Sequence, residues 1–181
     1  MLTRRSTPSV LGAMALVSAL ALVACSSDDP TDPGGGNGSF NATVTGGVTA
    51  SFSGVAIQGE AQVEPGQQGW VLLLGDVSTG ANSIFIVHFG SRPTNGTYQL
   101  IDLIQDFVPG DWGSVLFLGD GTTISYAGFS LHGTVTITSS SAELVAGTFD
   151  FQVSDGGQPM VVVTVTGTFS AISGGVSLPG I

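Results

Sequence analysis

Thr148-Phe149-Asp150-Phe151-Gln152-Val153-Ser154 places an apolar side chain at every second position and a polar one between. His132-Gly133-Thr134-Val135-Thr136-Ile137-Thr138 repeats the pattern, with hydroxyls at Thr134, Thr136 and Thr138 set against Val135 and Ile137. A period of two sends alternate side chains to opposite sides of an extended chain, so each segment reads as a strand with one wet and one buried face. Met160 to Phe169 is rich in valine and threonine and carries no helical spacing. Val71 to Leu74 and Ile84 to Phe89 are apolar on both faces, as expected of central strands covered on both sides.

Turn signals cut the rest of the chain at short intervals, among them Gly46-Gly47, Pro65-Gly66, Asn95-Gly96, Pro109-Gly110 and Asp155-Gly156-Gly157. The segments between them are 41–45, 47–54, 55–63, 69–76, 82–89, 96–101, 114–119, 122–128, 131–139, 143–154 and 159–171. They predict an all-β domain over residues 40–172, a single antiparallel β-sandwich or up-and-down barrel of about ten strands. Asp120-Gly121 is placed as a two-residue hairpin turn. Leu100, Leu103, Ile104 and Phe107 stand at helical spacing and admit a short helical turn, although a strand over Tyr98 to Ile101 followed by a packed loop is the preferred reading. Val71-Leu72-Leu73-Leu74-Gly75-Asp76 is echoed by Val115-Leu116-Phe117-Leu118-Gly119-Asp120, each just after a tryptophan, Trp70 or Trp112.

Composition limits the function. The chain has 181 residues, of which only 9% are charged, and it contains no lysine. Soluble domains usually carry about 25% charged residues, so the surface must be polar by other means. Serine and threonine supply it at 39 positions. From Cys25 onward 13 acidic residues face a single basic one, Arg92. That balance excludes a phosphate-backbone binder and leaves cationic partners open. A lone cysteine excludes a disulfide scaffold.

The first 24 residues read as an address. Arg4 and Arg5 precede the uncharged run Val10 to Ala24, 15 residues long. A signal-peptide core of about 7–15 residues fits that length better than a bilayer span of about 20. The run ends in Leu22-Val23-Ala24-Cys25, followed by Ser26-Ser27-Asp28-Asp29. This arrangement resembles the lipobox of bacterial lipoproteins, which implies cleavage before Cys25 and lipidation of its sulfur. Serine after the cysteine implies, by the same resemblance, delivery to the outer membrane. Residues 25–39 then form the lipidated cysteine and a tether without aliphatic or aromatic side chains, expected to be disordered. Residues 173–181 are a C-terminal tail.

Gly96-Thr97-Tyr98, Gly133-Thr134-Val135-Thr136-Ile137-Thr138, Gly147-Thr148-Phe149-Asp150-Phe151 and Val163-Thr164-Val165-Thr166-Gly167-Thr168-Phe169 occur in that order. The series resembles a family of small bacterial lipoproteins of unknown function, whose shared pattern covers about two thirds of the domain. These are strand and turn patterns, so the resemblance implies a fold and brings no activity with it.

A search for chemistry returns little. His88 is expected on the face of Ile84 and Ile86, and His132 on the threonine face; two histidines do not supply the three or four converging ligands of a metal site. Asp102, Asp106 and Asp111 match no calcium-loop spacing. Glu60 and Glu64 form no glycosidase pair with a sugar-positioning partner. No Gly-x-Ser-x-Gly elbow is present, and Gly34-Gly35-Gly36 precedes no strand–helix unit. The expectation is therefore a non-catalytic, lipid-anchored envelope protein without cofactor or metal, serving as an interaction or structural module. Its partners would be the membrane, through the anchor, and an envelope protein. The alternative is a carrier of a small hydrophobic ligand in a barrel cavity lined by Trp70, Tyr98, Phe107 and Trp112. An apolar cavity of about 300 Å³ or more separates the two.

Overall fold

Nine strands, not eleven, form in the computed structural model, which describes residues 38–64, 67–75, 82–102 and 108–174. Residues 1–37, including Cys25 and the expected leader, Phe107 and the tail beyond Gly174 lie outside the described residues. The strands are β1 (Ser39–Gly46), β2 (Ala50–Glu64), β3 (Gln67–Gly75), β4 (Ser83–His88), β5 (Gly96–Leu100), β6 (Trp112–Gly119), β7 (Ile124–Ser140), β8 (Leu144–Ser154) and β9 (Val162–Ser173). Among the described residues there is no helix.

Strands β1, β2, β3, β4, β6, β7, β8 and β9 pair each with the next, and β9 pairs back onto β1. The result is a closed, antiparallel, eight-stranded barrel, with β5 added on β7 beside β6. Closure runs along the whole of β1, from Ser39↔Ser170 to Gly46↔Val163. It decides between sandwich and barrel and leaves no free edge along that seam.

The two missing breaks have one cause. Residues 50–54 of β2 pair with β1, and residues 55–64 pair with β3. In β7, residues 124–129 pair with β6 and residues 133–137 with β5, while the opposite edge runs along β8 from Phe129 to Ser140. In both places the strand continues and only its neighbour changes. Within β7 the bend falls at a bulge between Ser130 and His132 and at Gly133, whose φ is +138°. A Cβ there would stand 2.3 Å from the Phe151 Cα, so only glycine fits. Ser130 fills the gap in the ladder, its hydroxyl accepting from the Ser114 N–H (3.1 Å) and donating to the Ile101 carbonyl (2.8 Å).

The Asp120-Gly121 hairpin forms with a four-residue loop, since Gly119 pairs with Ile124. The Asp120 carboxylate accepts from the Thr122 and Thr123 N–H groups at 2.9 and 2.8 Å, which widens the turn and holds its pKa low.

An eight-stranded barrel has an interior just wide enough for side chains to fill it. Here Trp70, Phe40, Phe151, Leu72, Leu74 and Ile84 do so, each at most 2% exposed. The Phe149, Phe151 and Val153 face of β8 meets Val163 and Val165 of β9 in register, Phe151 opposite Val165. Outward from β8, β9 and β1 point Thr148, Asp150, Thr164, Thr166, Thr168 and Thr43, the hydroxyl surface anticipated from composition. The outer side of β3, β4 and β6 differs: Val71, Phe85 and Phe117 are buried there in a second apolar cluster with Ala61, Val63 and Phe89.

Candidate functional site

One row across three strands gathers the aromatic residues. Trp70 of β3 lies opposite His88 of β4, and His88 lies opposite Trp112 of β6. The His88 imidazole stacks on the Trp112 ring at 4.6 Å, and Tyr98 of β5 stacks on the same indole at 4.5 Å. Trp70 leans on Trp112 at 5.8 Å with the rings tilted by 55°. Three of the four residues proposed to line a ligand cavity, Trp70, Tyr98 and Trp112, therefore do come together. They pack against one another: Trp70 is 0% and Trp112 3% exposed. Phe107 is outside the described residues.

The two tryptophan-led echo segments occupy equivalent places in this arrangement. Both β3 and β6 flank β4 and run antiparallel to it, so they face the same central neighbour and meet the same packing demand.

Hydrogen bonds complete the cluster. The Trp70 indole N–H donates to Gln58 Oε1 at 2.7 Å, and Gln58 Nε2 donates to the Ala142 carbonyl at 3.3 Å. Gln58 is only 2% exposed, so both ends of its amide are used inside the barrel end. His88 Nδ1 lies 2.9 Å from the Ser91 carbonyl, which can only accept; Nδ1 is therefore the protonated nitrogen. Burial against the aromatic rings pushes the His88 pKa down, outweighing that bond. Gly90 makes the packing possible, because a Cβ at that position would lie 2.8 Å from His88 Cε1.

The loop 89–95 is fastened at its start by backbone bonds between Phe89 and Gly110 and Asp111 and at three points further on. Ser91 accepts from His88, the Pro93 carbonyl accepts from the Ser140 hydroxyl, and the Thr94 carbonyl accepts from the Tyr98 hydroxyl at 2.8 Å. Arg92 projects from the middle of the loop and is exposed. Its side chain borders a depression of about 350 Å³ whose other walls are Gln58, Gly59, Glu60, Trp70, Ala142, Ser173 and Gly174. A second depression, of about 280 Å³, lies over Asn41, Ala42, Thr43, Ser51, Phe52 and Ser53. Neither has the apolar lining of a hydrophobic carrier.

The remaining sequence candidates stay apart. His132 is exposed on β7. The Asp111 carboxylate accepts from the Val108 N–H at 2.8 Å, capping its own turn, and Asp106 lies outside the described residues. Glu60 is exposed on β2, and the side chain of Glu64 lies outside the described residues. No group of three or more histidine, cysteine, aspartate or glutamate side chains converges among the described residues. Gln58 and Arg92 were not singled out by sequence. For Arg92 the signal was there, in its being the one basic residue after Cys25.

In comparison with known proteins, no family model, no curated protein and no solved structure matches the chain.

Proposed function

We propose that the protein is a lipid-anchored component of a bacterial envelope, held by acylated Cys25 at the outer membrane, with its β-barrel serving as a non-catalytic interaction module. The observation that carries the module reading over the carrier reading is the packing of the barrel: Trp70, Leu72, Leu74, Ile84, Leu116 and Phe151 occupy the space that a hydrophobic cargo would need. The lipobox and the strand patterns that resemble small bacterial lipoproteins support the anchor. Two acyl chains or more give stable attachment without a spanning helix, where one gives only marginal binding.

The test is metabolic labelling with a clickable fatty acid in a bacterial host. The wild-type chain is expected to take the label on the peptide that begins with Cys25, and Cys25→Ala to take none. Label retained by Cys25→Ala, or absent from the wild type, refutes the anchor.

A further inference from the structure

We propose that the depression beside Arg92 binds a small zwitterion carrying a phosphate and an ammonium group, the chemistry of a phosphoethanolamine headgroup, with Arg92 taking the anion and Glu60 the cation. Both residues line the same hollow of about 350 Å³. Both are exposed. A guanidinium presents a planar fork of donors suited to phosphate oxygens, and a carboxylate accepts from an ammonium.

Charge selects between ligand classes. The chain from Cys25 onward carries 13 acidic residues against one basic, so a bare dianion is repelled by the protein at large and by Glu60 at the site. A bare cation meets Arg92. A ligand of opposite charges, close to neutral overall, satisfies both groups and avoids both penalties.

The rim is built to hold its shape. The loop that carries Arg92 is fastened by His88, Ser140 and Tyr98. The Gly174 N–H donates to the Gln58 carbonyl at 3.0 Å, and the Ser173 N–H to the Glu143 carbonyl at 2.9 Å. Gln58 and Trp70 seal the floor, so the ligand sits on the barrel end and does not enter it. Preorganisation of this kind lowers the ordering cost of binding.

Position points to a membrane headgroup. The Gly38 carbonyl accepts from the Ala56 N–H at 3.2 Å, two residues along β2 from Gln58. The chain that leads back to Cys25 therefore leaves the barrel beside the depression. Twelve residues separate Cys25 from Gly38, a contour of about 40 Å at most, which puts headgroups within reach of the site. This source of the ligand rests on the lipid-anchored reading; the site itself does not.

The experiment uses the full chain bearing Cys25→Ser in non-ionic detergent micelles, titrated calorimetrically with O-phosphoethanolamine, inorganic phosphate, ethanolamine and glycine. O-phosphoethanolamine is expected to saturate, with phosphate, ethanolamine and glycine each weaker by about tenfold or more. Arg92→Gln and Glu60→Gln should each weaken it by about tenfold, and Arg92→Lys should recover part of the loss. Near-ultraviolet circular dichroism of Trp70 and Trp112 should stay unchanged in all three variants. Flotation with phosphatidylethanolamine vesicles, against phosphatidylcholine vesicles, separates the sources. Co-flotation with the former assigns a lipid; titration without flotation supports the site and assigns a soluble ligand. Equal affinity of Arg92→Gln and wild type, phosphate or glycine binding as tightly as O-phosphoethanolamine, or no binding at all overturns the proposal. Because Cys25 is absent from the titrated chain, failure of the anchor shows only in the fatty-acid labelling.

Discussion

Two flanks of the same barrel solve the problem of the outer surface in opposite ways. On β8, β9 and β1 the outward side chains are hydroxyls and a few charges, arranged in rows such as Thr136↔Thr148↔Thr168↔Asn41↔Ser53. On β3, β4 and β6 the outward rows are apolar, Leu73↔Phe85↔Val115↔Phe129 among them. Inside, both flanks contribute aliphatic and aromatic side chains to one core. The first flank needs only its inner face to be buried. The second has Val71 at 0%, Phe85 at 7% and Phe117 at 8% exposure, so its strands are sealed on both faces. The difference shows that closure of the sheet fixes which residues face inward but leaves the chemistry of the outer face free to vary around the barrel.

Removing an inner aromatic from the hydroxyl flank should do the most damage. Phe151→Ala is expected to cost about 3–5 kcal/mol, the usual range for a buried phenylalanine, read as a fall in the urea midpoint. The outer aromatics should behave as core residues too. Phe85→Ala is expected to cost about 3 kcal/mol, and a double-mutant cycle with Phe117→Ala should show about 0.5–1.5 kcal/mol of coupling, because the two rings meet edge to face at 6.1 Å. A cost below about 1 kcal/mol for Phe85→Ala would mean that the outer side of this flank is not sealed and that the contrast between flanks collapses.

Smaller is the effect of pH on the aromatic row where the flanks meet the barrel end. The folded pKa of His88 lies below its ordinary value of 6.5, so the unfolded chain binds more protons in that window. Stability is then fully present above about 6.5 and falls as pH drops toward the folded pKa. Urea melts at pH 7.5 and 5.5 should show the decline, and His88→Gln should flatten it; an equal decline in the variant would place its origin elsewhere. Least affected is the outer face of β8. Asp150→Ala should change stability by less than about 0.5 kcal/mol, since Asp150 is exposed on the side opposite Phe149 and Phe151. A larger loss than that of Phe151→Ala would invert the faces.

How far each flank could be read from sequence follows from the same contrast. Alternation in β7, β8 and β9 exposed the strand period, because one face is wet. The runs at 71–74 and 84–89 lost that alternation, yet their unbroken apolarity correctly pointed to cover on both sides. What misled was punctuation. The breaks expected at 54/55 and between 128 and 131 each fall where a continuous strand exchanges one neighbour for another, an event that depends on residues far away in the chain. Trp70, Tyr98 and Trp112 are grouped by sequence as one lining, but His88 between them and their mutual packing are not. Assembly of the row depends on the register Trp70↔His88↔Trp112, and Gln58 has no local signature at all before it is seen beneath the Trp70 indole.

The seam between β1 and β9 sets a timetable for the chain. β1 is the first of the described strands in the chain, and eight of its thirteen register partners lie in the last, β9. About 120 residues separate Gly46 from the completion of that seam, so β1 keeps a vacant edge until β9 docks. The barrel cannot shut like a zipper drawn from its beginning; it shuts like a belt, when the free end reaches the buckle. A chain truncated before Val162 would keep eight of its nine strands and lose the seam that closes them into a barrel.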